Sequence, residues 1–266
     1  MSTLIAIIFG MGLMLGAILA GGSLSVFISP PSMMIVMGGT IAALFISFQL
    51  PRVMKVTGVL IQIFKRDEQN PSNVIAEIVK LSFKSRQQSL LALEDDMNKQ
   101  KHRFIKLGLG MAIDGSPGQL IREVMETELD FIQVRHRRGE HIFRTAARYS
   151  PAFGLIGTLI GLVQMLQAFG ESTGASAASL GVGMSVALIT TFYGSMMANL
   201  FFNPIAEKLK ARTEDEVLTT QIIIEGIVML QAGANPRVIE RKLNSYLPPE
   251  ARQNHYERMM KRQKGA

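Results

Sequence analysis

The chain has 266 residues, with 28 Lys and Arg against 21 Asp and Glu and no cysteine. Without cysteine there is no disulfide framework, no zinc–thiolate site and no thiol nucleophile. The net charge of +7 does not mark a nucleic-acid binder, because the charge is segregated. All Lys and Arg fall in two blocks, Arg52 to Arg148 and Lys208 to Lys264, a partition that belongs to a polytopic membrane protein.

The first 51 residues contain no Lys, Arg, Asp, Glu or His. Two apolar stretches within them, 3–22 and about 31–50, are each long enough to span a bilayer as a helix. The first lacks the basic leader of a signal peptide, and a second span follows at once. Glycines 10, 12 and 16 have no strand before them and no acidic residue after them, so they read as helix packing and not as a dinucleotide loop.

Residues 51–149 are predicted to be helical throughout. Asn70-Pro71-Ser72 opens a helix that runs to about Lys99, with Val74, Ile78, Leu81, Leu90 and Leu93 approximating one face. A shorter segment, RFIKLGLGMAI, ends at Asp114-Gly115. Ser116 as N-cap and Pro117 as first helical residue begin another long helix. It meets no terminator before Ser150-Pro151, so it is expected to continue into the third span and to move with it.

The chain is organised around Ser150 to Phe202. Two arms, SPAFGLIGTLIGLVQMLQAFG and LGVGMSVALITTFYGSMMANLFF, are joined by a short loop, and Glu171 in that loop is the only charged side chain between Tyr149 and Ala206. A helix of 22 residues reaches ~33 Å, so both arms are transmembrane candidates and must run antiparallel. Gly154, Thr158, Gly161 and Met165 form a helical stripe on the first arm, and Ala187, Thr191, Gly194 and Ala198 on the second. Small residues let helices approach closely, and a hydroxyl in lipid requires a partner or a water-filled path. Helix packing explains an isolated pair such as Gly157 and Gly161. Three threonines at one depth, Thr158, Thr190 and Thr191, leave packing and an ion path both open.

After the fourth span Asn203-Pro204 predicts a kink. The helix resumes, ends at Gly233, and gives way to a last helix that starts at Asn235-Pro236 and stops at Pro248-Pro249. The basic tail from Ala251 is read as mobile. The fold class is all-α, a polytopic membrane protein of four transmembrane helices with a helical cytoplasmic domain. The segments are 1–50 (spans one and two), 51–149 (cytoplasmic helices), 150–203 (spans three and four) and 204–266 (C-terminal helices and tail). The positive-inside rule places both termini and the middle block in the cytoplasm, with loops 23–29 and 170–179 outside. Histidines 102, 136, 141 and 255 read as solvated surface, and no metal site, cofactor site or catalytic constellation is found, so no enzyme is expected.

A protein that moves protons or sodium normally places an ionisable group within the membrane. None lies in these spans. Either the chain moves no ion, or a partner's transmembrane helix brings the carboxylate into a neutral, hydroxyl-lined sleeve.

The order of these elements resembles the A subunit of the bacterial flagellar motor stator, the MotA/PomA family. The resemblance rests on two N-terminal spans, the PAFGLIGTLIGLV and ALITTFYG spans, and the NPRVIE helix. It implies a pentamer of this chain around two B subunits, each with one membrane helix bearing an ion-accepting Asp. It further implies a bacterial inner-membrane location, inward flow of Na+ or H+ as the transported ion, and torque delivered to the rotor protein FliG. The family's functional prolines fall on Pro151 and Pro204, and its functional threonine on Thr191. Its rotor-contacting pair falls on Arg86 and Glu94 in RQQSLLALE, which eight residues of helix would direct to one broad side. The acidic run through Asp95 and Asp96 departs from the family's pattern. Thr158 resembles sodium-driven members, although the related proton-driven ExbB/TolQ proteins also carry Thr there. Sodium is therefore the favoured ion and H+ the alternative. An ExbB/TolQ-type energiser of outer-membrane processes is the rival function, disfavoured by the two spans before Arg52.

Overall fold

The computed structural model describes residues 2–54, 58, 70–170 and 177–257. Every regular element among them is helical. The chain divides into two units, residues 1–66 with 137–210, and residues 67–136 with 211–266.

The first unit opens with α1 (Ser2–Gly21) and a 3₁₀ turn over Leu24–Phe27. Ser29 then caps α2 (Pro30–Met33), its Oγ accepting from the Ser32 amide. A π-helical turn, Met34–Gly38, leads into α3 (Gly39–Ser47). Three segments are long and apolar enough to cross a membrane, Leu24–Ser47, Gly118–Gly170 and Leu180–Gln231, and Ile8–Gly21 is a shorter apolar helix. This pattern is compatible with four spans.

The long helix α7 (Gly118–Gly170) passes through Pro151 without ending. Proline has no N–H to return to the Ala147 carbonyl, so the α-helical ladder is one bond short at that point. The helix α8 (Ala177–Met196) is followed by a π-helical turn over Met197–Phe202 and by α9 (Asn203–Gln231). This wider turn stands just ahead of Asn203-Pro204, where the sequence predicts a kink. A π-turn accommodates proline because it relaxes the i to i−4 register that the ring obstructs.

The second unit packs α4 (Pro71–Gln88), α5 (Glu94–Lys99), α6 (Arg103–Ile113), α10 (Pro236–Asn244) and its parts of α7 and α9 around one apolar core. Ile75, Ile78, Leu93, Ile105, Ile121, Met125, Ile227 and Ile239 are fully buried there, each contributing about 1.5–3 kcal/mol of transfer free energy. The caps follow the sequence: Asn70 Oδ1 accepts from the Ser72 amide and Asn235 Oδ1 from the Arg237 amide, each ahead of a proline in the first turn. Gly115 (φ 78°) and Gly233 (φ 68°) take the left-handed conformation that ends α6 and α9. Pro117 lies one residue before α7, so the helix begins at Gly118, one position later than expected.

Two further expectations are corrected. The helix expected from Pro71 to about Lys99 ends at Gln88; a 3₁₀ turn over Leu91–Leu93 separates it from α5. The tail is not free from Ala251 onward. Tyr256 donates its amide to Glu240 Oε1 (2.9 Å), Asn244 Nδ2 donates to the Gln253 carbonyl (3.0 Å), and His255 Nε2 meets Ser72 Oγ (3.2 Å). Those bonds hold residues 251–257 against α10 and the start of α4; residues 258–266 lie outside the described residues.

Candidate functional site

In the first unit the small residues of α7 and α8 bring backbone against backbone. A Cβ added to Gly161 would sit 2.5 Å from the Gly183 carbonyl oxygen, and one added to Gly194 would sit 2.7 Å from that of Ser150. Gly157 leaves room for the side chain of Thr190, whose Cβ and Cγ2 occupy the space its own Cβ would take. Such an approach requires glycine on both helices. Ser150, fully buried, donates to the Gly194 carbonyl at 3.1 Å and ties α8 to the turn that carries Pro151.

The three threonines separate into two roles. Thr190 is fully buried, and its hydroxyl bonds only to carbonyls of its own helix, Val186 at 2.9 Å and Ala187 at 3.0 Å. Thr191, the adjacent residue, turns away by about 100° and is exposed. Its Oγ1 lies 2.6 Å from Thr158 Oγ1 and 3.3 Å from the Ala187 carbonyl. Thr158 Oγ1 also reaches the Gly154 and Ala187 carbonyls at 3.1 and 3.2 Å. Two hydroxyls and a shared carbonyl thus form an oxygen cluster. A hydroxyl donates one proton and retains lone pairs, so the cluster can accept a cation or hand a proton along.

Sequence reasoning missed Tyr193. Its hydroxyl donates to the Phe27 carbonyl (2.5 Å) and accepts from the Ser29 amide (3.3 Å). It therefore fastens α8 to the turn between the first two apolar helices, and Phe27 packs edge-on against Phe192. The YG dipeptide after the threonines was the available signal, since a buried tyrosine hydroxyl needs a partner. Gly39 similarly admits α3 to the ring of Phe153. Thr40, next in sequence and 1 % exposed, has a hydroxyl with no hydrogen-bond partner.

In the second unit Arg86 lies in the last turn of α4 and Glu94 begins α5, so the two do not share a helix face. Both are exposed, as is Asp95. Asp96 is engaged instead, its carboxylate 2.5 Å from Lys84 Nζ. Arg122 bridges Glu225 at 2.6 Å and Glu126 at 3.5 Å. The Glu225 hydrogen bond, against an opposing burial effect, holds its guanidinium above the ordinary range. The histidines are more engaged than expected. His102 Nδ1 accepts from the Phe104 amide at the start of α6, His136 lies 3.5 Å from Glu216, and the His141 ring packs on Phe48. Among the described residues no group of three or more His, Asp or Glu is placed to hold a metal.

Fold and site together define a polytopic helical membrane protein with a hydroxyl cluster between two closely packed apolar helices. Residues 4–89 match the motility protein A N-terminal family, and residues 96–222 match the MotA/TolQ/ExbB proton channel family. The chain is 39 % identical over 253 residues to motility protein A of Borreliella burgdorferi, covering 93 % of this chain and 95 % of that protein. It is 33 % identical over 248 residues to chemotaxis protein PomA of Vibrio alginolyticus, with 93 % and 95 % covered. The flagellar MotAB stator complex from Bacillus subtilis contains a chain that superposes with a TM-score of 0.85 at 31 % identity, covering 94 % of this chain and 96 % of that one. The chain belongs to the motility protein A family.

Proposed function

We propose that this chain, a stator subunit for flagellar motility, works with a B subunit to couple inward cation flow to torque on the rotor. The observation that carries the reading is the Thr158–Thr191 hydroxyl pair, 2.6 Å apart, in spans with no Asp, Glu, Lys, Arg or His between Tyr149 and Ala206 other than Glu171. Three neutral oxygens are too few to replace an ion's hydration shell in lipid, so a counter-charge must complete the site. A B-subunit transmembrane helix bearing an Asp supplies it, with copies of this chain assembled as a pentamer around the B subunits. Na+ is the favoured ion and H+ the alternative. Pro151 and Pro204 flank the cluster at positions where the helical ladder is interrupted, which suits them to flex as the ion site changes state. Arg86 and Glu94 contact FliG. Both termini and residues 51–149 face the cytoplasm of a bacterial inner membrane. The match of residues 4–89 to the motility protein A N-terminal family favours this function over an ExbB/TolQ-type energiser.

The test is complementation. In a host lacking its own stator, this chain with its B subunit is expected to restore swimming, and neither alone to do so. Swimming without a B subunit, or none with both at normal membrane levels, overturns the reading. For orientation, a cysteine at Ser25, in the exposed Leu24–Phe27 turn, is expected to label from outside intact cells and one at Ser89 not to. Labelling of Ser89→Cys from outside inverts the topology. Ser176, a third reporter position, lies outside the described residues.

A further inference from the structure

Between α4 and α5 the backbone turns through Ser89 at φ 87° and ψ 166°, the one non-glycine residue with positive φ among the described residues. That region is essentially reserved for glycine, so a serine there is held by its surroundings. What it achieves is a division of three leucines. Leu93 is fully buried and Leu90 packs against the same core, while Leu91 is directed outward and is 68 % exposed. The Lys84–Asp96 ion pair closes the base of the turn at 2.5 Å. Leu91 is therefore an apolar side chain on a pinned turn, with exposed Arg86 before it and exposed Glu94 and Asp95 after it.

A lone exposed leucine is ordinary on a protein surface. This one stands on a strained turn whose two other leucines are anchored in the core, and it is bracketed by charges of opposite sign. Exposed charges attract weakly in water and are screened by salt. An apolar contact between them excludes water and supplies an anchor that charges alone lack.

We infer that Leu91 is the apolar anchor of the rotor contact and seats on an amphipathic partner helix. That helix presents an apolar patch with an acidic side chain opposite Arg86 and a basic one opposite Glu94 and Asp95. The inference rests on the reading of Arg86 and Glu94 as the rotor contact.

The experiment measures stall torque from a bead on a single flagellum, in a stator-lacking host supplied with this chain and its B subunit. Membrane level and B-subunit co-purification are followed for each variant. Leu91→Ala is expected to lower torque by about half or more, as loss of an interface anchor does. Leu91→Asp is expected to abolish it and Leu91→Met to retain it, all at normal membrane level and partner binding. Full torque in Leu91→Asp with impaired Arg86→Glu overturns the anchor and leaves the rotor contact standing. Full torque in both variants overturns the rotor reading and the anchor with it. If Leu91→Asp lowers the membrane level, Leu91→Ala decides, and full torque there overturns the anchor.

Discussion

The hydroxyls of Thr158 and Thr191 lie 2.6 Å apart, and each reaches the Ala187 carbonyl, at 3.2 and 3.3 Å respectively. Thr190 also reaches the Ala187 carbonyl, at 3.0 Å, but it is fully buried against Gly157 and its hydroxyl bonds to neither of the other two. The division gives a prediction with an internal control. Thr158→Ile or Thr191→Ile is expected to abolish swimming while the B subunit still co-purifies, because the added bulk fills the oxygen cluster. Thr190→Val keeps the branched shape against Gly157 and removes only intrahelical hydrogen bonds, so it is expected to retain most motility. Swim-plate expansion and co-purification measure both. Normal swimming in either isoleucine variant removes the hydroxyl pair from the ion path.

The pair was legible in the sequence because both threonines lie on small-residue stripes, and stripes survive translation into helices. So did the caps at Asn70 and Asn235 and the stops at Gly115 and Gly233, each a local feature with a local cause. The break after Gln88 was not legible. SRQQSLLALE contains no Gly or Pro, and the apolar spacing from Ile78 to Leu93 continues across the interruption. A serine at φ 87° is decided by tertiary packing of Leu90 and Leu93, and Arg86 and Glu94 lose their common face as a result. The clasp of residues 251–257 was hidden for the same reason. It depends on the buried Glu240 carboxylate accepting from the Tyr256 amide, a pairing that composition does not reveal.

Close approach of α7 and α8 sets a second prediction. A Cβ on Gly161 would meet backbone at 2.5 Å from Gly183 O and 2.7 Å from Ala187 N. Backbone cannot rotate away as a side-chain tip can, so the helices must separate. Overpacking of this kind costs about 1–3 kcal/mol. Gly161→Val is expected to lower the detergent-solubilised complex's Tm by several degrees and to stop swimming. Gly12→Ala, where an added Cβ meets nothing within 4 Å, is expected to do neither. Unchanged Tm in Gly161→Val would show that the two helices are not in backbone contact.

The C-terminal clasp gives a third. Deleting residues 251–266 removes the partner of the Glu240 carboxylate, which is 6 % exposed, and the carbonyl acceptor for Asn244 Nδ2. Leaving buried polar groups unpaired costs about 1–3 kcal/mol each. The deletion is therefore expected to lower Tm, whereas a mobile tail would leave it unchanged. Glu240→Gln, which keeps an acceptor oxygen for the Tyr256 amide, is expected to be milder than Glu240→Ala. Equal Tm values for those two substitutions and the parent chain count against the clasp.

The coupling ion is the last prediction. Sodium must shed water in a dry site, and neutral hydroxyl and carbonyl oxygens replace that water well; a proton needs only an acceptor and a relay. Thr158 and Thr191 with the Ala187 carbonyl offer three oxygens within hydrogen-bond reach of one another, a set that suits a sodium ion brought against a partner's carboxylate. Motor speed is therefore expected to rise steeply with external sodium at fixed pH and membrane potential, with potassium holding ionic strength constant. Thr158→Ala removes one of the three oxygens and is expected to weaken that sodium dependence sharply or abolish rotation. Thr158→Ser, which keeps the oxygen and loses only a methyl group, is expected to preserve it. Speed that stays flat down to trace sodium and collapses only with a protonophore makes this a proton motor, with the hydroxyl pair acting as a relay.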